Sequence, residues 1–288
     1  MREKGFHSGN YGVVVTTRNG GETIISSLNS IMNQTLQPTT LCVVDDGSTD
    51  STPQILRKFS EKFSDRVYTV ALPDRGYDIR RVMRNINIGI QEIRRLGIET
   101  KYTMISGDDC IYQRNYAEYI VEKMEREPKL VIASGDFENA KAPSSAPKGS
   151  SRFIKNSFLK RLGNGYPPHY GSESWMLKKA LQQGCRVECF PETRYKHLRE
   201  LGSKHQFRDW GAAMACLGYH PLWVLYRCFK YLHTHLLPPK SLVMLWHYFI
   251  PINRKNDPYF TFFEKDLRQY VWKKQERRVI ALMRGVIR

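Results

Sequence analysis

Short apolar segments alternate with helical patterns through the first half of the chain, and this alternation limits the possible folds more than any other feature. Because the apolar runs are continuous, they are typical of strands buried on both faces of a sheet. Repeated strand–helix–strand units predict a Rossmann-type α/β fold with a mostly parallel sheet flanked by helices. Ligands of such sheets bind beyond the carboxyl ends of the strands. The predicted strands are Gly12–Thr17, Leu41–Val44, Val67–Leu72, Tyr102–Ser106 and Leu130–Ser134.

The segments between these strands have the spacing of amphipathic helices. Glu22–Asn33 places its apolar residues on one helical face. Pro53 suits the first position of a second helix after Thr52, because its missing N–H costs nothing there. Lys141–Arg152, rich in Ser, Pro, Ala and Gly, is predicted to be a mobile loop. The remaining predicted elements are helices at Arg81–Arg94, Asn115–Glu127 and Ser174–Gln183, the last stopping at Gly184, and a strand at Arg186–Phe190.

The positive charge of the chain is concentrated towards its C-terminus. The formal net charge is +17, and residues 193–288 carry 18 Lys and Arg against 6 Asp and Glu, compared with 27 against 22 in residues 1–192. From about Trp210 the sequence is basic, aromatic and helical in pattern. Such a segment suits an anionic membrane surface or a phosphorylated lipid, with nucleic acid the less favoured partner. A solvated surface explains the same charge without any partner.

The sequence pattern does not predict a membrane span. The longest apolar run, Ser241–Ile252, is interrupted by His247 and Pro251, and it is shorter than the roughly 18–20 residues that cross a bilayer. Met1–Asn10 is polar and does not resemble a signal peptide. The six cysteines have no zinc-finger spacing, so reduced thiols are expected. These features predict a cytoplasmic protein. The basic, aromatic segment from about Trp210 allows two interpretations: a peripheral position at the inner face of a membrane, or helices that use the same aromatic residues to pack on the rest of the chain.

Paired carboxylates follow two of the predicted strands. Asp45 and Asp46 end the second strand and lead into an Asp-Gly-Ser turn, while Asp108 and Asp109 follow the fourth. Adjacent carboxylates repel each other, so other groups must offset the repulsion. A turn explains one such cluster. Two clusters at equivalent strand ends are better explained by a Mg²⁺ or Mn²⁺ site, because these ions bind carboxylates together with substrate phosphates.

Three blocks, Val13–Asn19, Leu28–Thr35 and Val44–Thr52, resemble the opening of the family 2 glycosyltransferases, which have the GT-A fold. Further along, Asn87-Ile88-Gly89 resembles the Asn-x-Gly helix start of that family, and Gly107-Asp108-Asp109 resembles its metal motif. The resemblance is strong to about residue 110, fair to about 205 and thin beyond. It implies a metal-dependent transfer of a sugar from a nucleotide-diphosphate sugar to an acceptor hydroxyl.

The resemblance also implies roles for single residues. Thr16 and Asp46 would line the nucleotide base, with Asp46 accepting from a uracil N3–H, so a UDP-linked donor is expected. Arg18 stands where an aromatic residue is common, and its guanidinium can stack on a base. Asp108 would face the ribose or sugar of the donor. Asp109 would bind the Mn²⁺ or Mg²⁺ that bridges the diphosphate.

The ligands of the implied metal differ from the family pattern. The metal motif often begins with another Asp, and here that position is Ser106. Family members often place a His after the strand predicted at Arg186–Phe190, where this chain has His197. Neutral imidazole suits Mn²⁺ better than Mg²⁺, although a lone surface His explains the residue equally well.

Diphosphate contacts are expected from arginines before and within the predicted helix at Arg81–Arg94. The sequence does not choose among the candidates, although Arg81 is included in the predicted donor site. They are Arg75, Arg80, Arg81 and Arg84.

The transfer needs a base that takes the proton of the acceptor hydroxyl. In the family this is usually an acidic residue about a turn before a helix that ends in Gly. By its spacing to Gly184, Glu173 stands where Asp is usual, so the resemblance predicts Glu173 as the base of an inverting reaction. The competing interpretation is a carboxylate that is stabilised by the N-terminus of a helix.

The predicted organisation is a GT-A-like catalytic domain at 1–205, with nucleotide-sugar binding in 1–110 and the acceptor side in 111–205, followed by a basic, aromatic, helical extension at 206–288. The acceptor is expected to be a glycan or a lipid-linked molecule. One alternative is a nucleotidyltransferase, although Asn19–Glu22 is a poor match to the Gly-rich phosphate loop such an enzyme carries. The other is a non-catalytic basic protein that binds a membrane or nucleic acid and does not depend on the acidic clusters.

Overall fold

The computed structural model describes residues 7–138, 144–199, 207–235, 238–250 and 256–286. In this part of the chain the strands are β1 His7–Ser8, β2 Tyr11–Thr17, β3 Leu36–Gln37, β4 Thr40–Asp45, β5 Val67–Ala71, β6 Tyr102–Gly107, β7 Cys110–Tyr112, β8 Leu130–Phe137, β9 Ser151–Lys155 and β10 Arg186–His197. The helices are α1 Ile24–Met32, α2 Thr52–Lys62, α3 Val82–Arg95, α4 Tyr116–Arg126, α5 Asn156–Arg161, α6 Ser172–Gln182, α7 Phe207–Cys216, α8 Pro221–His235, α9 Pro238–Phe249 and α10 Lys265–Val286.

Eight strands form one sheet in the order β5-β4-β2-β6-β9-β8-β10-β7. The neighbours β5, β4, β2 and β6 are parallel, and β8 is parallel to β10. β9 lies antiparallel between β6 and β8, and β7 is antiparallel to β10. The predicted α/β fold, with a mostly parallel sheet flanked by helices, is confirmed.

The parallel strands are buried on both faces, as their continuous apolar sequences require. Val13 and Val15 are fully buried in one core with Leu28 of α1. Successive side chains of a strand point to opposite faces, and Val14 therefore meets α3 on the other side. There a Cβ added to Gly89 would lie 2.5 Å from a methyl carbon of Val14. Glycine at this position allows the helix to approach the sheet closely.

The predicted helices are present, but one motif has a different role. Asn87-Ile88-Gly89 lies in the middle of α3, so its interpretation as a helix start is wrong. Besides the close packing of Gly89, the Asn87 amide fixes a distant segment. Its Nδ2 donates to the carbonyl of Tyr166 at 2.7 Å, and its Oδ1 accepts from the N–H of the same residue at 2.8 Å.

The second half of the sheet is larger than the pattern predicts. β7 and β9 are not predicted, and the strand predicted at Arg186–Phe190 continues to His197 through an irregularity in its register. The predicted loop at Lys141–Arg152 is wrong at its end, where Ser151 and Arg152 belong to β9; residues 141–143 lie outside the described part. Periodicity misses β9 because Arg152 is buried despite its charge, with its Nη2 donating to the Pro147 carbonyl at 3.2 Å.

The described residues divide into two compact units. The first comprises residues up to 166 together with 184–199 and holds the eight-stranded sheet, whereas the second comprises 167–183 and the residues from 207 onward, with α6 and α7–α10. The domain boundary predicted at 205 lies outside the described residues. Among the helices described, none combines the length and apolarity that a membrane crossing requires.

Candidate active site

The carboxyl ends of β2, β4 and β6 meet at one edge of the sheet. β2 is the middle strand, with Thr17 beside Asp45 of β4 and the partly buried Thr16 beside Gly107 of β6. The Asp46 N–H donates to the Thr17 carbonyl at 2.9 Å. The two acidic clusters predicted from the sequence therefore flank the same strand, at the edge where ligands of parallel sheets bind.

The two carboxylates of the first cluster have different surroundings. Asp45 Oδ1 accepts from the N–H of Ser48 at 3.0 Å and from the Ser48 hydroxyl, which closes the turn after β4. The Asp46 carboxylate instead accepts from Arg81, at 3.1 Å from Nε and 2.9 Å from Nη2. Both bonds end on Oδ2, and no hydrogen bond to Oδ1 is seen within the described ranges. Asp45 thus shapes the turn, and Asp46 keeps one oxygen for a ligand.

Arg18 joins two loops at this edge. Its Nη1 donates to the carbonyl oxygens of Asp46 and Gly47, and its Nη2 lies 2.7 Å from Asp74 Oδ1. The guanidinium group is therefore held beside Asp46 by three hydrogen bonds. In this position it stiffens the loop that presents the Asp46 carboxylate.

The four arginines considered for diphosphate contact are not equivalent. Arg81 is buried and bound to Asp46, so it orients that carboxylate. Arg80 pairs with Asp78 at 2.8 Å. Arg75 and Arg84 are exposed. Of the four, the structure brings Arg81 to the predicted donor residues.

Asp108 is a buried carboxylate with two partners. Its Oδ2 accepts from the Thr17 hydroxyl at 2.6 Å, and its Oδ1 lies 2.7 Å from Nη2 of Arg199, which also donates to Thr23 Oγ1 at 2.9 Å. Burial raises the pKa of Asp108, while the Arg199 cation and the Thr17 hydrogen bond act against that rise. The sequence reasoning missed Thr17 and Arg199. Thr17 follows Thr16 on a strand, and nothing in the sequence says which of the two faces the site.

Asp109 and His197 meet because β10 pairs with β7. The antiparallel register puts His197 opposite Cys110, and Asp109 Oδ1 then lies 3.0 Å from His197 Nδ1. The second imidazole nitrogen, Nε2, is 3.1 Å from the Ser150 hydroxyl. Burial opposes ionisation of Asp109, but the hydrogen bond and charge of His197 and the charge of Arg199 outweigh it and lower the pKa of Asp109. The carboxylate is therefore ionised at neutral pH.

The donor atoms of this cluster suit a divalent cation. Asp109, Cys110 and His197 each offer one atom, and these atoms lie within 4.8 Å of one another. Two neighbouring ligands of an octahedral Mg²⁺ or Mn²⁺ are about 3 Å apart when each lies about 2.1 Å from the ion, which matches the spacing of Asp109 Oδ1 and His197 Nδ1. Burial raises the pKa of the Cys110 thiol to about 12. A neutral thiol is a poor ligand for these ions, so the carboxylate and the imidazole are the better donors.

Glu173 lies in the first turn of α6, in the second unit. The helix runs from Ser172 to Gln182, slightly earlier than predicted, and is followed by Gly184 in the left-handed region (φ +72°). Gly171 precedes it, also with positive φ (+85°). The Glu173 side chain is exposed. A carboxylate in this position is stabilised by the helix dipole, and it is accessible to solvent and to a ligand.

The fold of this chain is similar to that of several glycosyltransferases of known structure. A mannosyltransferase from Pyrobaculum calidifontis, PcManGT, solved with GDP-Man and Mn²⁺, matches with a TM-score of 0.54 and 20% identity over 83% of this chain and 70% of its own. TarS 1–349 of S. aureus in complex with UDP-GlcNAc gives 0.55 and 16% over 86% and 74%. GalNAc-T7 with UDP, GalNAc and Mn²⁺ gives 0.60 and 12% over 88% and 58%. These similarities establish the GT-A fold.

Sequence comparison leads to the same group of enzymes. Among curated proteins no significant match is found. The model of glycosyl transferase family 2, however, matches residues 12–185, more than half of the chain. The matched region includes the carboxylates of Asp46, Asp108 and Asp109 at the sheet edge as well as Glu173. This chain therefore belongs to glycosyl transferase family 2 and has the GT-A fold.

Proposed function

We propose that this protein transfers a sugar from a UDP-linked donor to an acceptor hydroxyl, with inversion at the anomeric carbon and with Mn²⁺ or Mg²⁺ as its cofactor. One observation carries the proposal. Asp109 Oδ1 and His197 Nδ1 lie 3.0 Å apart next to Asp108, at the sheet edge where ligands bind. Carboxylate and imidazole donors at that spacing fit a divalent cation that also holds a diphosphate.

The choice of UDP rests on Asp46. Its carboxylate is fixed by Arg81 through Oδ2, so Oδ1 is positioned to accept a hydrogen bond such as that of a uracil N3–H. Thr16 lies on the neighbouring strand β2. Solved proteins of this fold were obtained with GDP-Man and with UDP-GlcNAc. The proposal of uracil as the nucleobase of the donor therefore rests on the residues of this chain and not on the ligands of those proteins.

In the proposed reaction the acceptor oxygen attacks the anomeric carbon, and its proton passes to the carboxylate of Glu173. The new bond joins the anomeric carbon to the acceptor oxygen. The bond between that carbon and the diphosphate oxygen breaks, and its electron pair leaves with the nucleoside diphosphate. A cation bound by Asp109 and His197 would stabilise the negative charge of the leaving group. Because attack and departure occur on opposite faces, the anomeric configuration inverts.

The acceptor and the location of the protein are proposed from the distribution of its basic residues. The basic residues are concentrated in the last third of the chain, and such a surface attracts anionic lipid headgroups. We therefore propose a peripheral position at the inner face of a membrane, which favours a lipid-linked acceptor over a free glycan.

Nucleotide release tests the proposal most directly. The full chain is incubated with a panel of UDP- and GDP-sugars and Mn²⁺, Mg²⁺ or EDTA, and free nucleoside diphosphate is measured. We expect slow hydrolysis of a UDP-sugar that requires the cation and is lost in Asp109→Asn. Asp65→Asn, which changes an exposed carboxylate away from the site, is the matched control.

Other results of the nucleotide-release experiment would support a different function for this protein. Release of inorganic diphosphate from a nucleoside triphosphate would indicate a nucleotidyltransferase. Preference for a GDP-sugar would overturn the role of Asp46. If no nucleotide bound with or without cation, the interpretation as a non-catalytic basic protein would replace the proposal.

A further inference from the structure

The second unit carries apolar side chains on the outside of two of its helices. On α8 the exposed residues are Leu222, Leu225, Tyr226 and Phe229, and Phe229 is 76% exposed. Their spacing places them on one helical face, while Val224 and Cys228 of the same helix are buried. A soluble protein rarely leaves such a stripe uncovered.

α9 repeats this arrangement. Its exposed apolar residues again share one face, whereas Ser241 and Met244 are buried. α9 packs closely on α7, because a Cβ on Gly211 would lie 2.3 Å from the Met244 carbonyl oxygen. The exposed residues are Leu242, Val243, Trp246 and Phe249, with Ile250 directly after the helix. The apolar stripe therefore lies on the face opposite to the packing contact.

The same unit contains a groove of about 700 Å³ between α7, α9 and α10. Five aromatic side chains contribute to its lining: Tyr219, Tyr248, Phe249, Phe262 and Trp272. Phe249 and Trp272 are also exposed, so the groove opens onto the apolar surface of the unit. Its volume is that of a small-molecule site.

Three cations lie on the α10 side of this groove: Lys265, Arg268 and Lys273. No ion pair of these three is seen in the described part of the chain. Arg268 Nε is buried without a hydrogen-bond partner there, and the guanidinium carbon lies 4.5 Å from the centre of the Phe262 ring. The nearby carboxylates Glu264 and Asp266 pair with Lys179 instead. The groove thus combines an aromatic wall with uncompensated positive charge.

Charge also decides what kind of partner fits the stripes. Residues 210–256 contain no Asp or Glu but five Lys and Arg. Two copies of this basic stretch of sequence would bring like charges together, which disfavours a homodimer. A bilayer supplies the complementary chemistry, because its phosphates are anionic and its acyl chains accept apolar and aromatic side chains.

We infer that the second unit binds a phosphate-bearing lipid at a membrane surface, with the phosphate on Lys265, Arg268 and Lys273 and the acyl chains against the groove and the stripes of α8 and α9. The lipid would bind at a defined site, in contrast to a general attraction of basic residues to a membrane. Such binding does not depend on sugar transfer, and it is tested without donor or acceptor.

Vesicle binding of the full chain tests the inference. We expect sedimentation with vesicles of phosphatidylcholine and phosphatidic acid, but not with vesicles of phosphatidylcholine alone. All five tryptophans belong to the second unit, and brominated acyl chains should quench their fluorescence on binding. The variant Phe229→Ser/Trp246→Ser should bind more weakly and be quenched less.

Two triple variants of α10 distinguish lipid binding in the groove from a general electrostatic attraction to the vesicle. The groove variant carries Gln at Lys265, Arg268 and Lys273. The control carries Gln at the exposed Arg277, Arg278 and Arg284 of the same helix. The groove variant should lose affinity on the order of 100-fold, because each basic residue that contacts the anionic headgroups contributes roughly a five-fold factor. The control should lose much less, because Arg277, Arg278 and Arg284 do not line the groove in which the phosphate is proposed to bind. The double variant Lys265→Gln/Lys273→Gln keeps the partly buried Arg268, so it tests the site even if the triple variant does not fold.

Several results would overturn the inference. These are absence of wild-type binding to phosphatidic acid vesicles, equal losses in the groove and control variants, and equally tight binding of soluble glycerol 3-phosphate. A dimer in sedimentation velocity that Phe229→Ser/Trp246→Ser abolishes would assign the stripes to a second copy of the chain.

Discussion

Arg199 Nη2 lies 2.7 Å from Asp108 Oδ1, and this ion pair ties the end of the sheet's longest strand to the carboxylate predicted to face the donor. Thr17 holds the other oxygen of Asp108. The carboxylate is buried, whereas the side chain of Arg199 is 43% exposed. Without Arg199, the buried Asp108 carboxylate would therefore keep only its hydrogen bond with Thr17.

Arg199→Gln should destabilise the first unit. Removing one partner of a fully buried pair costs about 3–5 kcal/mol, and the exposure of Arg199 reduces the expected loss to about 1–2 kcal/mol. Urea unfolding followed by far-UV circular dichroism measures it. Arg186→Gln, which breaks two surface pairs, with Glu127 and with Glu188, serves as the control and should cost less than about 1 kcal/mol. If both variants lost the same free energy of unfolding, the Arg199 guanidinium would not be needed to stabilise the buried Asp108 carboxylate.

Asp109→Asn should remove the cation dependence of UDP binding. In the wild-type protein we expect calorimetry to give tighter UDP binding with Mn²⁺ than with EDTA, because a cation held by the Asp109 carboxylate would attract the negative charge of the diphosphate. In the variant the two affinities should become similar. Wild-type binding that is the same in Mn²⁺ and EDTA would contradict the proposed metal site.

His197→Gln should change the selectivity between cations. Imidazole favours Mn²⁺ over Mg²⁺ more than oxygen ligands do, so the variant should lose more affinity for UDP in Mn²⁺ than in Mg²⁺. The ratio of the two dissociation constants is the measurement. A ratio unchanged from wild type would mean that His197 only orients Asp109 through their hydrogen bond.

Glu173→Gln should lower turnover by roughly 10²- to 10⁴-fold and leave the affinity for the donor nearly unchanged, because it keeps the shape of the side chain and removes the base. Transfer to an acceptor identified by screening is compared with UDP binding. Glu276→Gln, an exposed carboxylate of α10, is the control. Near-normal transfer by the Glu173 variant would require another base.

Lys178→Gln should stabilise the second unit at neutral pH. The pKa of Lys178 is lowered from 10.5 to about 8, mainly by burial, and the cations of Lys274, Arg278 and Arg227 act in the same direction. The folded chain therefore binds fewer protons than the unfolded chain between about pH 8 and 10.5, and wild-type stability rises with pH over that window. The variant lacks this dependence. Its advantage should be on the order of 1–3 kcal/mol at pH 7 and should shrink towards pH 10.5.

Tryptophan fluorescence measures this effect, since all five tryptophans lie in the second unit. Lys273→Gln changes an exposed lysine of the same unit and should show no such dependence. An advantage of Lys178→Gln that persists unchanged at pH 10.5 would exclude the charge of Lys178 as its cause.

The sequence determined the local elements of the first half and the carboxylates at the strand ends. Continuous apolar runs such as Gly12–Thr17 are sufficient for this, because a strand buried on both faces tolerates few polar residues. The blocks around Asp46 and Asp109 also indicated the family, which the comparisons confirm.

Only the tertiary structure decided which side chains meet at the site. His197 reaches Asp109 because β10 pairs with β7, a short strand that periodicity does not predict. Arg81 binds the Asp46 carboxylate, and Arg199 binds Asp108. Such partners lie far apart in the chain, and a local pattern of apolar and polar residues contains no information about strand register. The long-range pairing of strands sets these contacts, and that pairing is fixed by the packing of the whole sheet.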